Sequence, residues 1–303
     1  MNSHSKYLIV VCGPTAVGKT AVAVQLAQHY KTEIISSDSR QFYIETNAAT
    51  AKPEPEELAA VRHHFINSLS IHKDYDVGKF EQESIERLGV LFQTHSVVIV
   101  SGGSGLYIKA LTEGLDKFPE IPVELVESLN QELLENGMEI LLRELEEKDP
   151  QYFKEVDQNN PQRIIRALSV IRHTDKPFSS FRSRNALQRP FKTIYIKLEM
   201  DRAMLYSRIN QRVEHFLKKG LLSEAEELYK FRHLNALKTV GYTEMFDHYD
   251  GKYTLQEAIE KTKQHSRNYA KRQETWIRKY IPGRGFSPED LKGIVAYIED
   301  EIA

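Results

Sequence analysis

Gly13-Pro14-Thr15-Ala16-Val17-Gly18-Lys19-Thr20 fits the pattern G-x-x-x-x-G-K-[ST]. Glycines let backbone N–H groups turn inward on an anion, and a following helix N-terminus adds partial positive charge. Lys19 supplies a full charge, and the Thr20 hydroxyl can ligate Mg²⁺. All eight residues are therefore candidates for holding a di- or triphosphate. Nucleotide hydrolysis usually adds an acid at the end of a neighbouring strand to hold the metal. The clearest neighbouring strand ends Val97-Val98-Ile99-Val100-Ser101-Gly102-Gly103, with no carboxylate. Ser37-Asp38-Ser39 closes another strand, so Asp38 is the acid placed near the phosphates. A metal ligand, a helix cap and a general base are all open to it.

These residues need a scaffold, and the chain supplies one. Tyr7–Cys12 is a short apolar run of the kind found in buried parallel strands. An alanine-rich helical stretch, Ala21–His29, follows the glycine loop. Glu33–Ser36, Ser96–Val100 and Thr193–Leu198 are further strands, so strands alternate with helices. The expected fold is α/β: a parallel sheet flanked by helices, of the P-loop NTPase kind, with an all-helical insertion. Leucines at helical spacing mark the insertion, roughly Val123–Arg184, broken at Asp149-Pro150 and Asn160-Pro161. We divide the chain into a phosphate-loop core, residues 1–118 and 190–303, and an insertion, 119–189. Ser287-Pro288-Glu289-Asp290 reads as a helix start capped by the serine.

Composition narrows the classes. The 303 residues suit one large or two modest domains. With 41% hydrophobic and 28% charged residues, neither a disordered chain nor a disulfide scaffold fits. A net charge of −2 does not announce a nucleic-acid binder, although a local patch can still grip phosphate. Cys12 is the sole cysteine, which excludes an internal disulfide, and it reads as a small buried residue. The adjacent His63 and His64 are not at metal-ligand spacing and read as structural. No apolar run approaches a membrane span, and Met1–Lys6 does not read as a signal peptide. A cytoplasmic monomer is expected.

Seven segments, in order, carry a resemblance: GPTAVGKT (13–20), SDSRQFY (37–43), TAKP (50–53), GGSGLYIKAL (102–111), NPQRIIRAL (160–168), VGYTEM (240–245) and YAKRQETW (269–276). Together the chain resembles the tRNA dimethylallyltransferase family, from Leu8 to about Arg278. The resemblance implies transfer of a dimethylallyl group from its diphosphate to N6 of the adenosine 3′-adjacent to the anticodon. The loop then holds a departing diphosphate, with Mg²⁺ as cofactor, and needs no hydrolytic apparatus. Asp38 matches the family's general base. A carboxylate is a weak base, but N6 becomes strongly acidic as the C–N bond forms, so the proton moves late. Ser104 falls where the family has a hydroxyl residue, usually threonine, and implies a hydrogen bond near the bridging oxygen. Arg212 matches the family arginine that reaches the diphosphate; Arg208 lies one turn away.

The target adenine must leave its stack, at a cost of a few kcal/mol. The resemblance assigns Asp38, Ser39, Arg40 and Gln41 to the extruded nucleotide and its neighbours. A second contact segment is Gln162, Arg163, Ile164, Ile165 and Arg166, and a third runs through Lys238, Gly241 and Tyr242. Residues 255–280 form a basic helix with Tyr269 and Trp276 interleaved, which suits phosphate contact and stacking. The expected partners are thus a tRNA anticodon stem-loop and dimethylallyl diphosphate. Three positions depart from the family pattern. Ser104 replaces threonine, Ala49 replaces the glycine before TAKP, and Val126 stands about where an arginine contacts tRNA. Residues 118–142 contain no lysine or arginine, while Glu120, Glu124, Glu127, Glu132, Glu135 and Glu139 are acidic. Three other readings compete: an ATP-dependent small-molecule phosphotransferase, an RNA-binding module without transfer chemistry, and prenylation of free AMP. The insertion and the basic helix favour tRNA, because a mononucleotide needs neither.

Overall fold

The computed structural model describes residues 5–182 and 187–303. The end of the helical stretch at Arg184 lies outside them. The chain forms two compact units. One comprises Met1–Glu113 and Gln188–Ala303; the other is Gly114–Leu187.

The larger unit is built on six parallel strands in the order β3-β2-β4-β1-β5-β6. They are β1 (Tyr7–Cys12), β2 (Ile34–Ser36), β3 (His63–His64), β4 (Val97–Gly102), β5 (Lys192–Leu198) and β6 (Gly285–Phe286). Every β1 residue is buried, which accounts for its unbroken apolar run. Ile9 and Val11 join one apolar layer, with Val22, Leu26 and Ile294, while Leu8, Val10 and Cys12 join the other, with Phe80, Leu88 and Ile108. Register fixes where the loops emerge. Cys12 is opposite both Gly102 and Lys197, and Ser36 is opposite Ser101. The turns after β1, β2 and β4 therefore leave the same carboxyl edge of the sheet, where α/β folds bind ligands.

The helices preceding the second unit are α1 (Lys19–His29), α2 (Pro55–Ala60), α3 (Val77–Leu91) and α4 (Gly105–Glu113). The Gly114–Leu187 unit holds α5 (Val123–Asn136), α6 (Met138–Lys148), α7 (Pro150–Glu155) and α8 (Pro161–Thr174). Leu129, Leu141, Leu145, Ile164, Leu168 and Ile171 form its core. Arg172 of α8 ties it together by donating to Glu132 of α5 and Glu144 of α6. Back in the larger unit come α9 (Arg202–Lys218), α10 (Leu221–Leu228), α11 (Tyr242–Tyr249), α12 (Leu255–Tyr280) and α13 (Leu291–Ile302).

One local expectation changes, and one element was unforeseen. The last helix starts at Leu291, and its cap is Asp290, whose carboxylate accepts from the Gly293 N–H. Ser287 instead holds the Glu289 N–H in the preceding turn. His63 and His64 form a two-residue edge strand that no apolar run announced. His64 Nε2 lies 2.6 Å from Glu33 Oε2, in keeping with a structural role.

Candidate active site

The phosphate loop is shaped by close packing. A Cβ on Gly13 would lie 2.8 Å from the Leu198 carbonyl oxygen and 2.9 Å from Val17, so only glycine fits there. Gly18, the residue before α1, has φ 114°, which disfavours every other side chain. The Val17 side chain is fully buried, so any contact it makes with an anion is through its backbone. Lys19 curls back over the loop and donates to the carbonyls of Gly13 (3.1 Å) and Pro14 (2.9 Å). Burial lowers its pKa to about 8, against the opposing pull of Asp38. Arg212 of α9 donates to the Thr15 hydroxyl at 3.1 Å, and burial also pulls its pKa down. Cys12, beneath the loop, is fully buried, and burial pushes its thiol up to about 12, so it is no nucleophile at neutral pH.

These groups open onto one cavity of about 1070 Å³. Thr15, Lys19, Thr20, Asp38, Arg208 and Arg212 line it, together with Ser39, Arg40 and Tyr269. Lys238, Thr239 and Thr243 belong to the same wall. Asp38 Oδ1 accepts the Arg40 N–H at 3.1 Å, so the carboxylate braces a tight turn and not a helix. Ser104 stands beside Ser39. Its Oγ accepts the Ser39 N–H (3.1 Å) and lies 3.2 Å from the Ser39 hydroxyl.

Several expected contact residues lie elsewhere. Ile164 and Ile165 lie on the apolar stripe of α8 and are buried in the core of the helical unit; Gln162, Arg163 and Arg166 are exposed. Tyr242 is fully buried, with its hydroxyl on Glu224, so its side chain cannot meet RNA. Gln41 is also buried: its amide donates to the Ala51 carbonyl and accepts from Ser36. Gly241 has φ 103°, and Ala49 presses close to its Cα side. Val126 packs against the core of the helical unit.

Three groups escaped the sequence reading. Lys52 of the TAKP segment donates to the Tyr43 carbonyl and to Asn47 and Asn67, and burial lowers it to about 8. Glu224 accepts the backbone N–H groups of Asn47 and Ala48, fixing that same loop. Gln273 bonds the phosphate loop itself. The motifs flagged the first and third, but nothing local gave them a role.

The donor set suits a metal shared with substrate. Among the described residues no group of three or more His, Cys, Asp or Glu side chains could hold an ion. Mg²⁺ commonly takes one or two protein oxygens beside phosphate oxygens and waters, which Thr20 in this cavity fits.

A P-loop NTPase-like sheet, with Lys19, Arg212 and Asp38 on one cavity at its carboxyl edge, defines the class as a phosphate-loop fold with a site suited to an anion. Comparison makes this specific. The IPP transferase family model matches residues 41–280, and the chain belongs to that family. A tRNA dimethylallyltransferase of Christiangramia forsetii is 50% identical over 98% of this chain and 99% of its own. One from Cytophaga hutchinsonii is 46% identical over 100% and 99%. The crystal structure of the tRNA isopentenylpyrophosphate transferase from Bacillus halodurans shares 31% identity. It superposes with a TM-score of 0.73 over 98% of this chain and 97% of its own. A eukaryotic dimethylallyltransferase solved acting on tRNA gives 0.76, at 26% identity over 90% and 70%.

Proposed function

We propose that the chain transfers a dimethylallyl group from dimethylallyl diphosphate to N6 of the adenosine 3′-adjacent to the anticodon of tRNA. The observation that carries this is one cavity lined by both Lys19 and Arg212, for the leaving diphosphate, and Asp38, for the proton. The bond from the allylic carbon to the bridging oxygen breaks, and its electrons leave with the diphosphate. The N6 lone pair forms the new C–N bond, and Asp38 takes the N6 proton. Lys19 and Arg212 hold the charge that grows on the leaving oxygens, the largest stabilising contribution in such a site. Thr20 and the diphosphate would hold Mg²⁺, which when bound neutralises part of that charge. Ser104 acts through Ser39, steadying the turn that carries Asp38. On the RNA side, Ser39, Arg40 and Lys238 line the acceptor end, while Gln162, Arg163 and Arg166 contact the stem-loop from the helical unit.

An ATP phosphotransferase is not favoured, because the relatives matched over nearly the whole chain are named for prenyl transfer to tRNA. The test is incubation with radiolabelled dimethylallyl diphosphate and Mg²⁺, offering bulk tRNA beside AMP. Label is expected in tRNA at the adenosine following the anticodon. Label confined to AMP, or none in either, would overturn the reading.

A further inference from the structure

Gln273 is 7% exposed and sits on α12, far in sequence from the loop it touches. Its Oε1 accepts the Thr15 N–H at 2.7 Å, and its Nε2 donates to the Gly103 carbonyl at 2.9 Å. One planar amide therefore joins the phosphate loop to the turn after β4. The fit is tight. A Cβ on Gly103 would lie 2.2 Å from Nε2, and one on Gly105 would lie 2.3 Å from the Trp276 ring. Thr15 is held twice, by Gln273 at its N–H and by Arg212 at its hydroxyl. A loop restrained from two helices loses little freedom when an anion arrives.

We propose that Gln273 is a positioning residue for the donor: its amide holds the phosphate loop in the shape that receives the diphosphate. This rests on the reading that the loop grips the leaving group. An amide is required because the site needs an acceptor and a donor together. A carboxylate would keep the acceptor for Thr15, lose the donor for Gly103, and set a negative charge beside the bound anion. A thioether would lose both bonds without adding charge. If part of the loop population then leaves the competent shape, affinity falls by that fraction.

The test uses the full chain and Gln273→Met and Gln273→Glu. Binding of inorganic pyrophosphate with Mg²⁺ is measured by calorimetry, with KM for dimethylallyl diphosphate, tRNA affinity and melting temperature alongside. Gln273→Met is expected to weaken pyrophosphate and raise the donor KM about 10–100-fold, as for two lost buried hydrogen bonds, with tRNA affinity within about twofold. Gln273→Glu is expected to weaken pyrophosphate further at a melting temperature like that of Gln273→Met. Wild-type pyrophosphate affinity in either variant would overturn the proposal. So would equal losses for donor and tRNA in step with melting temperature, the mark of a merely structural residue. If the unsubstituted protein itself failed to bind pyrophosphate, the loop reading would fall instead, and this separates the two failures.

Discussion

In the proposed reaction, Asp38 is the residue that takes the N6 proton. Its carboxylate lines the cavity with Lys19 and Arg212, and both cations feel its charge. Replacing it with asparagine keeps the shape and the acceptor that holds the Arg40 N–H, but removes the basic oxygen. Asp38→Asn is therefore expected to lower kcat by about 10²–10⁴-fold, the usual worth of a positioned general base, with pyrophosphate binding retained. Parallel loss of binding and turnover, measured by calorimetry and label transfer, would assign the carboxylate to donor binding. Lys19 follows a related logic. Burial holds its pKa near 8, so a neutral amine becomes populated as pH rises past that value.

At the scale of elements, α12 packs onto the phosphate loop and the turn after β4 through Gln273 and Trp276. Gly105 begins α4 and meets the Trp276 ring so closely that a methyl group cannot be added without movement. Gly105→Ala is expected to cost about 1–3 kcal/mol of stability, as overpacking does, read from urea unfolding. The penalty should largely vanish in the background Trp276→Leu, because the clash partner is gone. A penalty undiminished there would place the strain elsewhere. What the sequence made legible follows the range of the interactions. The phosphate loop, the strand before it and the helix after it lie within about two dozen residues, so motif and pattern sufficed. Gln273 and Gly103 are partners across 170 residues, and Gln273 and Thr15 across 258, and no local pattern encodes either. The edge strand at His63–His64 was missed for the complementary reason. Two residues bonded to Ile34 and Ile35 carry no periodicity of their own. Ile164, Ile165 and Tyr242 sit in matched motifs yet are core, because a motif records a segment and only packing tells which face of it is free.

For the whole molecule, charge sets the constraint on RNA binding. The chain carries 41 basic and 43 acidic residues, so affinity for a polyanion cannot come from net charge and must come from where the cations lie. In the helical unit, residues 118–142 contain no cation, and Arg172, its half-buried cross-link, is spent on Glu132 and Glu144. Arg163 and Arg166, by contrast, are exposed on α8. Each phosphate contact contributes about 0.9 to the slope of log affinity against log salt. tRNA affinity is therefore expected to fall steeply between 50 and 200 mM salt, roughly 10³-fold or more if six contacts form. Arg163→Gln should reduce the slope by about one with the donor KM unchanged. Ile164→Ala, one residue along and buried, should instead lower stability by about 2–5 kcal/mol and leave the slope alone. A salt-independent affinity, or a slope moved by the isoleucine and not by the arginine, would mean that this face of the helical unit does not meet the RNA backbone.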